Sequence, residues 1–170
     1  MGLLAAPAMA QTTTQNPDGG TGMGEVTLYP EAGGPKAVLQ PDGTAIPPAG
    51  APAAVKKIIR AANRIAKKPY VYGGGHTANF RSRGYDCSGS MSFALRGAGL
   101  VKTPLNSTGF MSWGSTGPGN WVTTYAHGGR AYMVIAGLRF DTSGRSKKGT
   151  RWQADLRSTR GYKVRHPDGL

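Results

Sequence analysis

The residue best suited to catalysis is Cys87, the only cysteine among 170 residues. It lies in the run Gly84-Tyr85-Asp86-Cys87-Ser88-Gly89, and the pattern that follows predicts a helix from Asp86, as N-cap, to about Arg96. Unpaired backbone N–H groups and the helix dipole at such a position stabilise a thiolate and can form an oxyanion hole. A single cysteine forms no internal disulfide, so Cys87 is either a nucleophile or a buried structural residue, and its position alone leaves both open.

Two of the three histidines, His127 and His76, are candidates for the base that a nucleophilic thiol needs. His127 precedes two glycines, so a flexible loop could bring its imidazole toward Cys87, and His76 could line the same cleft. A solvated loop position is the alternative for both, and His166 is interpreted as a surface residue. Three scattered histidines and one cysteine have no recognised ligand spacing, so the sequence predicts no metal site and no cofactor.

The surrounding pattern predicts an α+β fold in which two helices precede an antiparallel sheet. Apolar residues recur at helical spacing over 55–66, with lysine and arginine on the other face, and Pro69 ends this basic amphipathic helix. Its short apolar stripe favours packing on the core over lying on a membrane. Alternating residues predict strands over 121–125, 131–136, 138–142 and 162–165, with Ala136-Gly137 as a hairpin turn.

The first 54 residues differ in composition from the rest. Residues 1–10 resemble the tail of a signal peptide, because Ala8-Met9-Ala10 has the form of a cleavage site; an Ala-rich disordered tail is the alternative. Residues 11–54 are rich in Gly, Pro and Thr and are predicted to be disordered. The globular domain is therefore expected over 55–170. The signal-peptide form of the first ten residues favours a protein that is secreted or held in the cell envelope. No other apolar run is long enough to span a bilayer.

Charge divides at the same boundary. Residues 1–54 hold one lysine against four carboxylates, a net charge of −3, whereas the remainder holds twenty Lys and Arg against four Asp, a net charge of +16. Such a domain favours a polyanionic partner. Nucleic acid and the anionic polymers and peptides of a bacterial envelope both fit that description, and charge does not choose between them.

Two motifs narrow the choice. The run P-Y-V-Y-G-G-G at 69–75 and the run D-C-S-G at 86–89 resemble the paired P-Y-x-W-G-G and D-C-S-G signatures of the NlpC/p-sixty family of cell-wall cysteine peptidases. Only Tyr72, in place of Trp, departs from them. The family's third signature is G-H before an apolar strand, and the matching stretch begins at Gly129-Arg130. The resemblance covers residues 55 to 143.

This resemblance implies a papain-like domain that cleaves peptidoglycan stem peptides, usually between D-glutamate and a diamino acid. Cys87 would be the nucleophile, Tyr70 would contribute to the active-site wall and oxyanion region, and Asp86 and Ser88 would hold the amino end of the substrate. Asp86 has an equally sufficient role as N-cap. Tyr72 and His76 are further candidates for substrate contact.

Arg130 is the main departure, because it occupies the position of the family's general-base histidine. A guanidinium stays protonated at neutral pH, so it could stabilise a thiolate but could not exchange protons. Loss of a general acid and base costs about 10²- to 10⁴-fold in rate. Asp141, eleven residues later, lies where the family places the residue that orients the histidine, and here it would neutralise Arg130.

Three hypotheses follow. The favoured one is a peptidoglycan hydrolase that acts through Cys87 with an unusual or substitute base such as His127. The second is a pseudoenzyme that binds cell-wall peptides without cutting them, which Arg130 favours. The third, a nucleic-acid binder, depends on charge alone and leaves the D-C-S-G run unexplained.

Overall fold

The computed structural model describes residues 34–170. Within that range the chain forms four helices and eight strands in a mixed order. The helices are α1 (Ala53–Ile65), α2 (Cys87–Arg96), α3 (Ser107–Phe110) and α4 (Thr142–Lys148). The strands are β1 (Val38–Leu39), β2 (Ala45–Ile46), β3 (Ser115–Thr116), β4 (Val122–His127), β5 (Arg130–Ile135), β6 (Leu138–Phe140), β7 (Trp152–Gln153) and β8 (Lys163–His166).

Six strands form one antiparallel sheet in the order β3-β8-β4-β5-β6-β7. The predicted turn between β5 and β6 is present, and both of its residues have positive φ, 46° at Ala136 and 78° at Gly137. Two such residues make the tight connection that matches the twist of a hairpin. The α+β prediction with an antiparallel sheet is confirmed.

The core lies between one face of the sheet and helices α1 and α2. In β5 the alternate residues Ala131, Met133 and Ile135 are buried and belong to this core, and α2 packs against that strand. The apolar stripe of α1, which includes Ile58 and Ile59, is also buried in it. This stripe buries the helix in the domain, as the sequence predicted. No helix in residues 34–170 has the length and apolar character needed to cross a membrane.

The predicted disorder of residues 11–54 is wrong for the part that the structure describes. From residue 34 onward this segment packs on the domain, and β1 pairs with β2 in a separate two-stranded hairpin. The side-chain amide of Asn63 on α1 accepts from the backbone N–H of Ala45 at 3.0 Å and donates to its carbonyl at 2.9 Å. Thr150 donates to the carbonyl of Gly43 at 2.6 Å. The domain therefore begins before residue 55, and the predictions for residues 1–33 lie outside the described residues.

Two further boundaries differ from the prediction. The strand expected over 138–142 ends at Phe140, because Asp141 accepts from the backbone N–H of Ser143 at 3.0 Å and caps α4. His166 is the last residue of β8, and its Nδ1 lies 3.0 Å from the carbonyl of Gly117. Residues 167–170 after it are held by the fold, since the N–H of Trp121 donates to the carbonyl of Leu170.

Candidate active site

Cys87 is the first residue of α2 and its side chain is partly exposed. The predicted cap is present, because Oδ1 of Asp86 accepts from the backbone N–H of Gly89 at 2.7 Å. The packing of α2 on β5 brings the thiol's helix against the strand that Arg130 begins. The fold thus places the thiol at the N-terminus of a helix whose other side is buried, which is a favourable position for a nucleophile.

The glycine-rich loop at 69–75 lies directly against this first helical turn. The N–H of Tyr85 donates to the carbonyl of Pro69 at 3.0 Å, and that of Asp86 donates to the carbonyl of Gly74 at 3.1 Å. A Cβ atom at Gly89 would lie only 2.0 Å from the carbonyl oxygen of Gly74. The loop and the helix can approach this closely only because glycine stands there, which gives a physical reason for the G-G and D-C-S-G runs.

Arg151 connects the glycine-rich loop to α2 through hydrogen bonds in the interior of the domain. Its side chain is fully buried. Among residues 34–170 its hydrogen bonds go to backbone carbonyls and one hydroxyl, and none goes to a carboxylate. The acceptors are Ile65 O at 2.6 Å, Lys68 O at 2.6 Å, Pro69 O at 3.2 Å, Tyr85 O at 3.0 Å and Ser90 Oγ at 3.1 Å. Burial lowers the pKa of Arg151 to about 10, so it remains charged at neutral pH. One cation therefore caps the end of α1 and holds the backbone on both sides of Cys87.

Asp86, His76 and Ser88 form a polar cluster beside the thiol. Nε2 of His76 lies 3.0 Å from each carboxylate oxygen of Asp86, and Oγ of Ser88 lies 3.3 Å from Oδ1 of that carboxylate and 3.4 Å from the imidazole. Asp86 also accepts from the N–H of Gly73 at 3.1 Å. Three of the predicted substrate contacts are thus brought together. The carboxylate is nevertheless engaged by the protein, so its role as a cap and anchor for the loop is directly visible.

Tyr70 and Tyr72 present exposed rings on the outer side of the same loop. The side chain of Tyr72 is almost free in solvent, with 91% of the residue's surface exposed, and Tyr70 is about half exposed. Partial burial raises the pKa of the Tyr70 phenol, the neighbouring Cys87 and Asp86 raise it further, and Arg130 acts in the opposite sense. Tyr70 therefore lies within electrostatic range of these three residues.

Arg130 and Asp141 form the ion pair that the sequence suggested. Nη2 of Arg130 lies 2.9 Å from Oδ1 of Asp141, whose carboxylate is fully buried. Two more arginines reach the other oxygen, Arg157 at 2.9 Å and Arg139 at 3.4 Å. Burial by itself raises the pKa of Asp141, but the N–H of Ser143 and the arginines outweigh it and hold that pKa below its ordinary value. A carboxylate with three cationic partners is a stable negative centre, and it fixes Arg130 in place.

His127 lies beside Arg130 but is engaged elsewhere. It pairs with Arg130 across the β4–β5 turn, and its Nδ1 accepts from the N–H of Gly129 at 3.1 Å. Its ring packs on that of Tyr162, with 4.7 Å between centroids. Within residues 34–170, the hydrogen bonds of the three histidines go to groups other than Cys87.

A cavity of about 460 Å³ opens between the loop and α4. Tyr70 and Arg130 bound it, as do Ser143 and Arg145 of α4. Tyr70 and Arg130, from two sides of the predicted site, thus face one space in which a ligand could bind. Cys87 is not among the described residues that line this cavity.

Sequence reasoning missed Arg139, Arg151 and Arg157, which hold the site together. Arg151 makes its contacts over 61 to 86 residues of sequence, and nothing in its local sequence marks it as buried. The one available signal was Asp141, a carboxylate in a strongly basic stretch, which could have indicated several arginine partners.

Comparison with known proteins finds no family model that matches the chain and no significant match among curated proteins. The functional interpretation therefore depends on the residues and contacts described above.

Proposed function

We propose that this chain is a papain-like domain of the NlpC/p-sixty type, secreted or held in the cell envelope, which hydrolyses peptidoglycan stem peptides through Cys87. The observation that carries the proposal is the position of the sole thiol at the first residue of α2, under a glycine-rich loop whose Tyr70 shares a cavity with Arg130. The antiparallel sheet against which α2 packs supports the same fold.

The proposed reaction has two steps. Cys87 loses its proton to water and its thiolate attacks the peptide carbonyl carbon; a C–S bond forms, and the C–N bond breaks as the amine leaves with one proton taken back from water. Water then attacks the thioester, releasing the acid and restoring the thiol. At the start of α2 the N–H groups of Gly89 and Ser90 donate to Asp86, which leaves those of Cys87 and Ser88 as the candidate donors to the oxyanion, a contribution of about 3 to 4 kcal/mol for each donor.

Proton transfer is the weak point of this chemistry. Arg130 supplies positive charge near Tyr70 but no base, and its guanidinium is bonded to Asp141. The same ion pair favours a second candidate function, that of a pseudoenzyme which binds stem peptides in the cleft without cutting them. Its exposed Tyr72 and the polar cluster at Asp86 would suffice for recognition.

The test is Arg130→His, assayed by chromatography of purified muropeptides after incubation with each variant. A histidine at this position has Asp141 available to orient its imidazole, so activity is expected to rise at least about tenfold if the missing base is limiting. The rise should disappear when Cys87→Ala is added. His127→Ala tests the substitute base, since it abolishes the starting activity only if that imidazole takes part.

The outcomes separate the two functions. Suppose that the variant Arg130→His folds and binds muropeptide but does not cut it, even in the presence of reductant. That result would refute the hydrolase proposal and leave the binding function. Circular dichroism and tryptophan fluorescence establish folding for each variant. Reductant keeps the single thiol available, so an inert result is not caused by its oxidation.

A further inference from the structure

A second cavity, of about 480 Å³, adjoins the one beside Tyr70 and shares Arg130 and Ser143 with it. Its polar lining is dominated by cations, and we call it the basic cavity. The cations are Arg130, Arg139, Lys147, Lys148 and Arg157. We propose that the basic cavity binds phosphate groups carried on a flexible polyol chain, the chemistry of anionic wall polymers.

Among residues 34–170 the charge of the basic cavity is only partly neutralised. Two carboxylates of this range reach its five cations: Asp141, which pairs with three arginines, and Asp155, which pairs with Arg139 and Lys148. An excess of three positive charges remains in one concave space. Such an excess exceeds what one carboxylate ligand would balance and suits a doubly charged phosphate or two neighbouring phosphodiesters.

Arg139 gives the basic cavity a fixed element. Its side chain is only 8% exposed and is held by Asp141 at 3.4 Å, by Gln153 at 3.3 Å and by Asp155 at 2.8 Å. Its Nε is buried and has no hydrogen-bond partner within the described residues. Arg139 is therefore a fixed positive charge in the wall of the cavity, and the protein has already met the entropic cost of orienting it before an anion binds nearby.

The lining also favours a polyol phosphate over a nucleic acid. No aromatic ring is among the described residues that line the basic cavity, where Leu156 is the apolar member. Proteins that bind single-stranded nucleic acid combine positive charge with aromatic rings on which bases stack. A polymer without bases needs only the charge. Because Arg130 belongs to both cavities, a bound wall polymer would keep the cavity beside Tyr70 close to the cell wall. The proposal depends on the positive charge of the basic cavity and does not require peptide cleavage by Cys87.

The test uses the full chain and two probes of equal charge, a glycerol-phosphate oligomer and a thymidine oligonucleotide, titrated calorimetrically at constant ionic strength. Lys147→Gln/Lys148→Gln removes two exposed cations of the basic cavity, and an exposed ion pair such as that of Lys148 contributes little to folding. The control pair Lys57→Gln/Lys102→Gln removes the same charge from exposed positions that do not line this cavity.

We expect saturable binding of the glycerol-phosphate oligomer, weakened at least about fivefold by the cavity pair and unchanged by the control pair. Equal weakening by both pairs would overturn the proposal, because binding would then report net charge alone. So would tighter binding of the oligonucleotide through the same two lysines. Cys87→Ala should leave the binding of the glycerol-phosphate oligomer intact, so failure of the hydrolase proposal and failure of this one give different results.

Discussion

The buried hydrogen bonds of Arg151 allow the loss of folding free energy on its substitution to be predicted. Replacing it by lysine keeps the positive charge but reduces five N–H donors in a planar fork to three on one nitrogen. The arginine has five acceptors between 2.6 and 3.2 Å, so at least two of them lose their partner. A hydrogen bond to a charged group contributes about 1.5 to 3 kcal/mol, and the loss for Arg151→Lys is therefore expected at about 3 kcal/mol or more.

Urea unfolding followed by tryptophan fluorescence measures this loss, and Arg60→Lys is the matched control. Arg60 is exposed on α1, so its substitution should change the free energy of unfolding by less than about 0.5 kcal/mol. Labelling of Cys87 by a thiol reagent in native buffer supplies a second measurement. Because Arg151 holds the carbonyls of Pro69 and Tyr85, its loss should change the labelling rate at urea concentrations where the protein remains folded.

A loss below about 1 kcal/mol, with an unchanged labelling rate, would refute this reasoning. It would mean that the five carbonyl and hydroxyl oxygens do not depend on Arg151. Arg151→Met serves as a check on the lysine result, since it keeps much of the side chain's length while removing every donor. It should be at least as destabilising as Arg151→Lys.

Two other substitutions test the frame of the site. Asp141→Asn should lower the free energy of unfolding at pH 7 by about 3 to 5 kcal/mol, because it leaves three arginines without their buried counter-charge. The pKa of Asp141 is depressed in the fold, so its contribution is present above its ordinary value of 3.8 and is lost as pH falls through the folded value. Urea unfolding should therefore show the gap between variant and wild type closing in acid, and a gap that persists would contradict this assignment. Gly89→Ala should cost more than about 3 kcal/mol, measured by thermal and urea unfolding, because its Cβ would meet the backbone carbonyl of Gly74, which cannot rotate away. Gly50→Ala is its control, since a Cβ there meets nothing within 4 Å, and equal effects of the two substitutions would count against the close approach.

The local features of the site could be predicted from the sequence. Asp86 caps α2 because a carboxylate followed three residues later by a free N–H is a local arrangement, and the Ala136-Gly137 turn is equally local. The motifs also indicated that Tyr70 and Arg130 belong to one site, and they line one cavity.

The long-range contacts could not be predicted in this way. Residues 34–54 have the composition of a disordered segment, but Asn63, 18 residues beyond Ala45, satisfies both backbone groups of that residue. The same amide oxygen of Asn63 accepts from Nε1 of Trp152 at 2.8 Å, which joins the hairpin, α1 and β7 at one point. Composition measures how much apolar surface a segment can bury, and it does not register hydrogen bonds supplied by distant side chains.

The order of strands in the sheet has a consequence for how peptides can be recognised. The outermost strands, β3 and β7, are each two residues long. An extended peptide that joins a sheet as a new strand needs a longer row of free backbone groups, as does a second copy of the chain that begins to aggregate edge to edge. The edges of this sheet are too short for either a peptide or a second copy of the chain to pair with them. Under the proposed function, a stem peptide would therefore be selected by side chains and loop backbone in the cleft. The six-stranded sheet of residues 34–170 is likewise poorly suited to edge-to-edge association with a second copy.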